Sequence, residues 1–306
     1  MESLQSQLSR RLKAINELVD INEILNKHVD KSYIQKYYRI NKIPYSLFHV
    51  SPEYLHVGIS RKGVYQEDDL LDAVRLVERY IGALKAGKVL ELACGRGANS
   101  FFLATRYPHI KFFGVDYSST QIKFAQRKKN LPHNFFVERS DFHNLHQYSD
   151  ESFDIVFIVE ALCHSYDKKV VFSEVKRILR RNGVFIVYDG YRLRSETECA
   201  SEEKLARRLA ERGMALDELD WYGNVIKQMQ SFFVKEFDED VSIYTIPTLE
   251  HLEAHALRLM RFPIFARLCF KLFPREVMCN FITAYLLSLG IKLKLFSYHI
   301  TVLKRT

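Results

Sequence analysis

Hydrophobic and polar positions change rhythm along this chain. Over residues 1–35 the apolar side chains Leu4, Leu8, Leu12, Ile15, Leu18 and Ile21 recur near the helical period, so this stretch is expected to be helical. Residues 37–65, YYRINKIPYSLFHVSPEYLHVGISRKGVY, keep no clean period. They are too aromatic for a flexible linker and predict an ordered segment folded over something. Residues 67–84, EDDLLDAVRLVERYIGAL, return to an amphipathic helix whose acidic first turn suits a helix N-terminus. From Lys88 short apolar runs alternate with helical stretches. Strands are expected at 89–93, 112–115, 134–138, 153–159 and 184–189, and helices at 98–106, 119–129 and 168–181. That alternation predicts an α/β fold with a parallel sheet. Residues 191–290 read as mostly helical, with two helices around Gly213 and Gly223, and LFSYHITVLKRT, 295–306, reads as a last strand.

Composition narrows the class. With 47% hydrophobic and 27% charged residues, a wholly disordered chain is excluded, and 12 Gly and 7 Pro exclude collagen-like designs. Forty-five basic against 37 acidic residues give a net charge of +8, which favours an anionic partner without choosing among a phosphorylated molecule, an acidic membrane and nucleic acid. No arginine-rich tail or nucleic-acid fingerprint is present, so nucleic acid is not expected. Five widely spaced cysteines without a CxxC argue against a disulfide framework or zinc site and fit a reducing compartment. The N-terminus is polar and charged, unlike a signal peptide. The longest nearly uncharged run, Val277 to Ile291, is shorter than the roughly 20 residues that span a bilayer. The expectation is a cytoplasmic protein, with peripheral membrane contact and self-association left open.

Chemistry concentrates in KVLELACGRGANSFFLA. A strand ends at Glu91, passes Ala93, Gly95 and Gly97, and opens into a helix. Glycines there let backbone approach a ligand and turn tightly. A dinucleotide fingerprint would receive a pyrophosphate, for which a carboxylate inside the motif is unhelpful; Glu91 instead fits a cationic ammonium or sulfonium ligand. Asp116 ends the second strand, followed by Tyr117, at the spacing of a ribose-binding acid. Asp141 and Phe142 follow the third strand, where the acid can accept from an adenine amino group and the ring can lie against the base; Asp141 as a cap for a helix at 142–147 is the competing reading. Glu160 and His164, in VEALCHSYD, sit at the end of the fourth strand, on the edge where open α/β sheets bind ligands.

The order ELACGRG, VDYSS, SDFHNL, FDIVFIVEALCH, LRRNGVFIVYD resembles a class I S-adenosylmethionine-dependent methyltransferase over roughly residues 86–190 plus the last strand. One departure is Ala93, where the family often has its first glycine. The resemblance implies a Rossmann-like sheet, S-adenosylmethionine as cofactor, Glu91, Ala93, Gly95 and Gly97 near its methionine part, Asp116 and Tyr117 at the ribose, and Asp141 and Phe142 at the adenine. The organisation expected is an N-terminal helical and aromatic cap (1–85), a cofactor-binding core (86–190), a helical lid or substrate insert (191–290), and a terminal strand (291–306) completing the sheet.

Within that family, VEALCHSYD, the aromatic N-terminal segment and FITAYLLSLGIKLKLFSYHITVLKR are similar to sterol and tocopherol-type C-methyltransferases. Methylating a carbon–carbon double bond creates a cation that aromatic faces stabilise and a base must deprotonate. Glu160, His164, Tyr38, His49 and His56 are the acceptor-side candidates, against readings as packing or orienting residues. The acceptor expected is small and apolar, an isoprenoid or unsaturated lipid, with anionic character left open. An O- or N-methyltransferase of a natural-product scaffold and an inactive lipid-binding scaffold remain as alternatives. No His, Cys and carboxylate cluster has metal-ligand spacing. Finally, ALRLMRFPIFARLCFKLFPREV interleaves basic with large apolar residues, a pattern that fits a membrane interface, a diphosphate or a solvated face.

Overall fold

The computed structural model describes residues 2–48 and 51–306. Seven strands form one sheet in the order β3-β2-β1-β4-β5-β7-β6. They are β1 (Lys88–Leu92), β2 (Lys111–Asp116), β3 (Phe135–Arg139), β4 (Phe153–Val159), β5 (Leu179–Arg192), β6 (Val234–Asp240) and β7 (Phe296–Lys304). The first five pair in parallel, and β7 runs antiparallel between β5 and β6. The strand order reverses between β1 and β4, which opens a crevice at their carboxyl ends.

Strand alternation fills both faces. Val89, Ile155 and Ile186 join Val74 and Val77 of one helix, Asp72–Leu84, and Leu103 of another, Ala98–Arg106. Their neighbours Leu90, Val156 and Val187 join Val171, Phe172 and Val175 of the helix Lys168–Ile178 on the opposite face. A third core joins the N-terminus to the insert, with Leu8, Leu12 and Ile15 packed among Leu209, Ala210, Ile282 and Leu286. The cap and the insert therefore share one hydrophobic layer over the sheet edge.

In chain order the helices used below are α1 (Leu4–Asn16), α2 (Ile21–Leu25), α3 (Lys31–Ile40), α4 (Lys42–Phe48), α5 (Asp72–Leu84), α6 (Ala98–Arg106), α7 (Ser119–Gln126), α8 (Lys168–Ile178), α9 (Ser201–Gly213), α10 (Tyr222–Gln230), α11 (Ser242–Met260), α12 (Pro263–Leu272) and α13 (Arg275–Lys292). Three differences from the sequence reading have physical causes. The helix expected over 1–35 is three helices, because Asp20 and Asp30 accept from the amides of Asn22 and Tyr33 and start new ones. The insert read as helical contains β6, a largely exposed edge strand without alternation that exists by pairing with β7. No helix forms at 142–147; Asp141 accepts from the His143 amide at 3.0 Å in a turn.

Candidate active site

Two cavities meet at the carboxyl edge of the sheet. The first, about 1140 Å³ with open solvent at its mouth included, lies over the ends of β1, β2 and β4. Lys31, Ile34, Gln35 and Tyr38, one face of α3, help line it. The second, about 1480 Å³ on the same measure, lies between the sheet edge and the helices α11 and α13. Tyr38, Leu55, Glu160 and His164 line both and so mark the joint between them.

The turn after β1 builds the floor of the first cleft. Ala93, Gly95 and Gly97 all take left-handed backbone, with φ of 49°, 54° and 68°. A Cβ added at Gly95 would meet nothing within 4 Å, so the backbone there stays open to a ligand. A Cβ at Gly97 would meet Phe135 at 2.8 Å. Gly97 is thus a packing position beneath the turn and does not line the cleft, whereas Ala93 and Gly95 do.

Each carboxylate in this cleft already has protein partners. Glu91 accepts from Asn99 Nδ2 at 2.9 Å and from the Ser100 amide at 3.1 Å, which ties the strand end to the first turn of α6. Burial pushes its carboxyl up to about 7, against the hydrogen bonds from Ser100 and Asn99. Asp116 accepts from the amides of Gly95 at 2.9 Å and Ser118 at 2.7 Å; burial pushes it up to about 6 against those bonds. Asp141 lies 2.6 Å from His143 Nδ1 and accepts from Lys31 Nζ at 3.0 Å. Burial raises its carboxyl, but the His143 and Lys31 bonds outweigh it and hold it below the ordinary value. Tyr117 and Phe142 line the rim, and His143 stacks on Tyr166 with ring centres 3.8 Å apart.

At the joint, Glu160 Oε1 accepts from the Val57 amide at 2.8 Å and from the Tyr298 hydroxyl at 2.9 Å. Its backbone is left-handed, φ 50°, an unusual state for Glu. Burial pushes its carboxyl up to about 8 against those two bonds, with nearby Asp189 adding to the rise. The Tyr38 hydroxyl lies 3.3 Å from His164 Nε2. Burial, helped by Lys168, pushes His164 down to about 4, so the imidazole is neutral at pH 7. His56 lines the first cleft with Nδ1 3.0 Å from the Val57 carbonyl, and burial lowers it too. His49 lies outside the described residues.

Several lining residues escaped the sequence reading. Gln121, buried in the first turn of α7, lines the first cleft, and its Oε1 has no hydrogen-bond partner among the described residues. Asp189, 1% exposed at the end of β5, accepts from the amides of Cys163 and Gly190 at 2.9 and 2.8 Å and lines the second cavity. Tyr298 comes from β7, far away in sequence. Asp189 was recoverable, since it is the next strand-end acid after Glu91, Asp116 and Glu160; Tyr298 carried no local signal.

A family model described as a methyltransferase domain matches residues 84–235. That match and the sheet together give this stretch a methyltransferase-domain sequence on the Rossmann-like class I methyltransferase fold. This domain is similar to a probable phthiotriol/phenolphthiotriol dimycocerosates methyltransferase of Mycobacterium ulcerans, 38% identical over 39% of this chain and 45% of that protein. It is also similar to the sterol 24-C-methyltransferase of Saccharomyces cerevisiae, 25% identical over 60% of this chain and 56% of that one. The chain thus spans about half the length of the curated relatives it matches. Among solved structures, a mycolic acid cyclopropane synthase with bound SAH superposes with a TM-score of 0.73 at 15% identity, covering 89% of this chain and 96% of that one. The geranyl diphosphate C-methyltransferase of Streptomyces coelicolor gives 0.57 at 15% identity, covering 88% and 98%. Those likenesses show the shared methyltransferase fold.

Proposed function

We propose that this chain methylates a neutral, largely apolar acceptor, at carbon of an isoprenoid or unsaturated lipid, using S-adenosylmethionine. The observation that carries the reading is the joint: two cavities, one edged by the carboxyls that close the first strands and one walled mainly by aliphatic and aromatic side chains, meet at Tyr38, Leu55, Glu160 and His164. The first cleft fits the cofactor chemically. It offers an open Gly95 backbone, acids at the ends of the first four strands and aromatic faces at Tyr117 and Phe142. Asp116 would hold the ribose hydroxyls and Asp141 with Phe142 the adenine, while Glu91 acts through the Asn99 and Ser100 contacts that set the start of α6. Bound there, S-adenosylmethionine supplies a methyl group on a positively charged sulfur.

The chain's own residues do the rest. Adding a methyl group to one carbon of a double bond leaves a cation on the other, and a proton must then leave a carbon next to it to restore a double bond. Glu160 holds both its hydrogen bonds at Oε1, which leaves Oε2 without a bond from a described residue and able to take that proton. Tyr298 and the Val57 amide orient the carboxylate. Neutral His164 and the un-ionised Tyr38 line the joint without adding charge. Leu216, Leu249, Phe281 and Leu287 keep water from the acceptor.

The second cavity argues against the anionic acceptor left open by the net charge. Among the described residues its wall holds no Lys or Arg, while Glu160 and Asp189 present carboxylates. A diphosphate has no basic partner there. The test is calorimetry with S-adenosylhomocysteine followed by transfer of label from S-adenosylmethionine to a fractionated lipid extract. Labelled neutral lipid supports the reading. Label only in acidic lipids, or lipid binding without any transfer, overturns it.

A further inference from the structure

The segment from Ala254 to Arg275 contains no Asp or Glu, yet it carries Arg258, Arg261, Arg267, Lys271 and Arg275. It forms the end of α11, all of α12 and the start of α13. Ala266 and Cys269 turn α12 inward. The opposite face leaves six large apolar side chains exposed between 262 and 273: Phe262, Ile264, Phe265, Leu268, Leu272 and Phe273, with Ile264 88% exposed and Leu272 72%. Arg267 and Lys271 fall beside this apolar stripe on the helix. Arg275 pairs with Glu23, and Arg267 donates to the Glu17 carbonyl. Arg258, Arg261 and Lys271 form no ion pair with any described residue.

From this juxtaposition we infer that α12 and its flanking turns dock on an anionic membrane surface. The apolar stripe enters the headgroup boundary, and the unpaired basic residues meet acidic lipid. Charge decides the occupant. A second copy of the chain would bring the same basic face to a symmetric contact, with no acid in the segment to answer it. The position also matters. α12 joins the two helices whose facing sides line the acceptor cavity, from His255 in the penultimate turn of α11 to Val277 in the first turns of α13. Resting on the proposed function, docking here sets that pair of helices against the bilayer from which an apolar acceptor is drawn. No helix among the described residues is long and apolar enough to cross a membrane, so the contact is peripheral.

The test is co-sedimentation of the whole chain with phosphatidylcholine vesicles, with and without phosphatidylglycerol, at low and high salt. Binding is expected to the anionic vesicles and to weaken as salt screens them. Arg261→Glu with Lys271→Glu should lower the vesicle affinity at least about 25-fold, at about fivefold per basic residue. Ile264→Ser with Leu268→Ser and Leu272→Ser should lower it about a hundredfold. All five positions are exposed, so calorimetry with S-adenosylhomocysteine and the melting temperature should match the parent. Equal binding to neutral and anionic vesicles, absence of binding, or variants that bind like the parent overturn the inference. So does a vesicle-free dimer that the serine variant dissolves. Lost vesicle binding with S-adenosylhomocysteine binding intact sinks only this inference; the reverse pattern sinks the cofactor reading and leaves the surface standing.

Discussion

Tyr298→Phe isolates the group that sets the proton affinity of Glu160. The hydroxyl donates to Oε1 at 2.9 Å, and Tyr298 is buried on a central strand, so the variant removes one oxygen and keeps the ring. A hydrogen bond to an ionised group contributes about 1.5–3 kcal/mol. Removing it takes that stabilisation from the carboxylate, which at 1.36 kcal/mol per unit raises the pKa by about 1 to 2. Glu160 starts near 8. At pH 7 roughly a tenth is ionised in the parent, and the variant holds roughly a hundredth to a thousandth. The expected loss in kcat/KM at pH 7 is therefore about 10- to 100-fold, shrinking toward nothing on the alkaline plateau. The assay is a pH profile of kcat/KM for parent and variant with labelled S-adenosylmethionine. Loss by an equal factor at every pH would show that Tyr298 holds geometry or substrate, and an unshifted profile would remove Glu160 as the titrating base.

Four other substitutions separate cofactor, packing and charge. Asp116→Ala should weaken S-adenosylhomocysteine binding about 10- to 100-fold in calorimetry, the loss of a charge-assisted hydrogen bond; unchanged affinity would contradict the ribose assignment. Gly97→Ala should cost about 2 kcal/mol or more in urea unfolding, since its Cβ would meet Phe135 in a left-handed turn. Gly95→Ala, with open space around its Cβ, should cost about 1–2 kcal/mol of stability yet weaken the cofactor analogue more; equal behaviour of the two would refute the distinction. Glu160→Gln should change the pH dependence of stability in a defined direction. The folded-state value near 8 lies above the ordinary 4.5, so the contribution of this group is fully present below about 4.5 and is lost as the pH rises through 8. The variant lacks that loss, and its melting temperature relative to the parent should climb from pH 5 to pH 9; a constant difference would mean the carboxyl is not perturbed.

The core of this fold was legible because its signals are local. Glu91, Asp116 and Glu160 follow short apolar runs and stand at or next to the carboxyl ends of β1, β2 and β4. The first cleft follows almost entirely from them. The acceptor side was less legible for a topological reason. Its wall joins Tyr38 and Leu55 from the cap, Asp189 from β5, Thr245 and Leu249 from α11, Phe281 from α13 and Tyr298 from β7, residues brought together only when β7 inserts between β5 and β6. β6 itself was unreadable, since an exposed edge strand keeps no alternation to detect. The three-helix N-terminus was misread because the apolar period runs on across the breaks, and the capping aspartates break the backbone without breaking the pattern.

Departures from local rules occur in several parts of the fold, with left-handed backbone at Lys85, Asn130 and Ala215 and buried, raised carboxyls at Glu211 and Glu253, and both kinds meet at the proposed reaction centre. Ala93 takes a backbone state that glycine would adopt without strain, and Glu160 does the same one strand away. Glu91, Asp116, Glu160 and Asp189 are all buried with their carboxyls pushed upward, a costly set for one sheet edge. The four carboxyls at this edge have a use under the proposed function. A cationic cofactor binding there meets buried carboxylates that its charge drives back toward ionisation, so part of the unfavourable desolvation is recovered only when the ligand arrives. Under the proposed function a positive charge in the first cavity would lower the proton affinity of Glu160, which faces both. The raised resting value is therefore consistent with the proposed role: a carboxyl mostly uncharged in the empty site would ionise more readily with the donor in place.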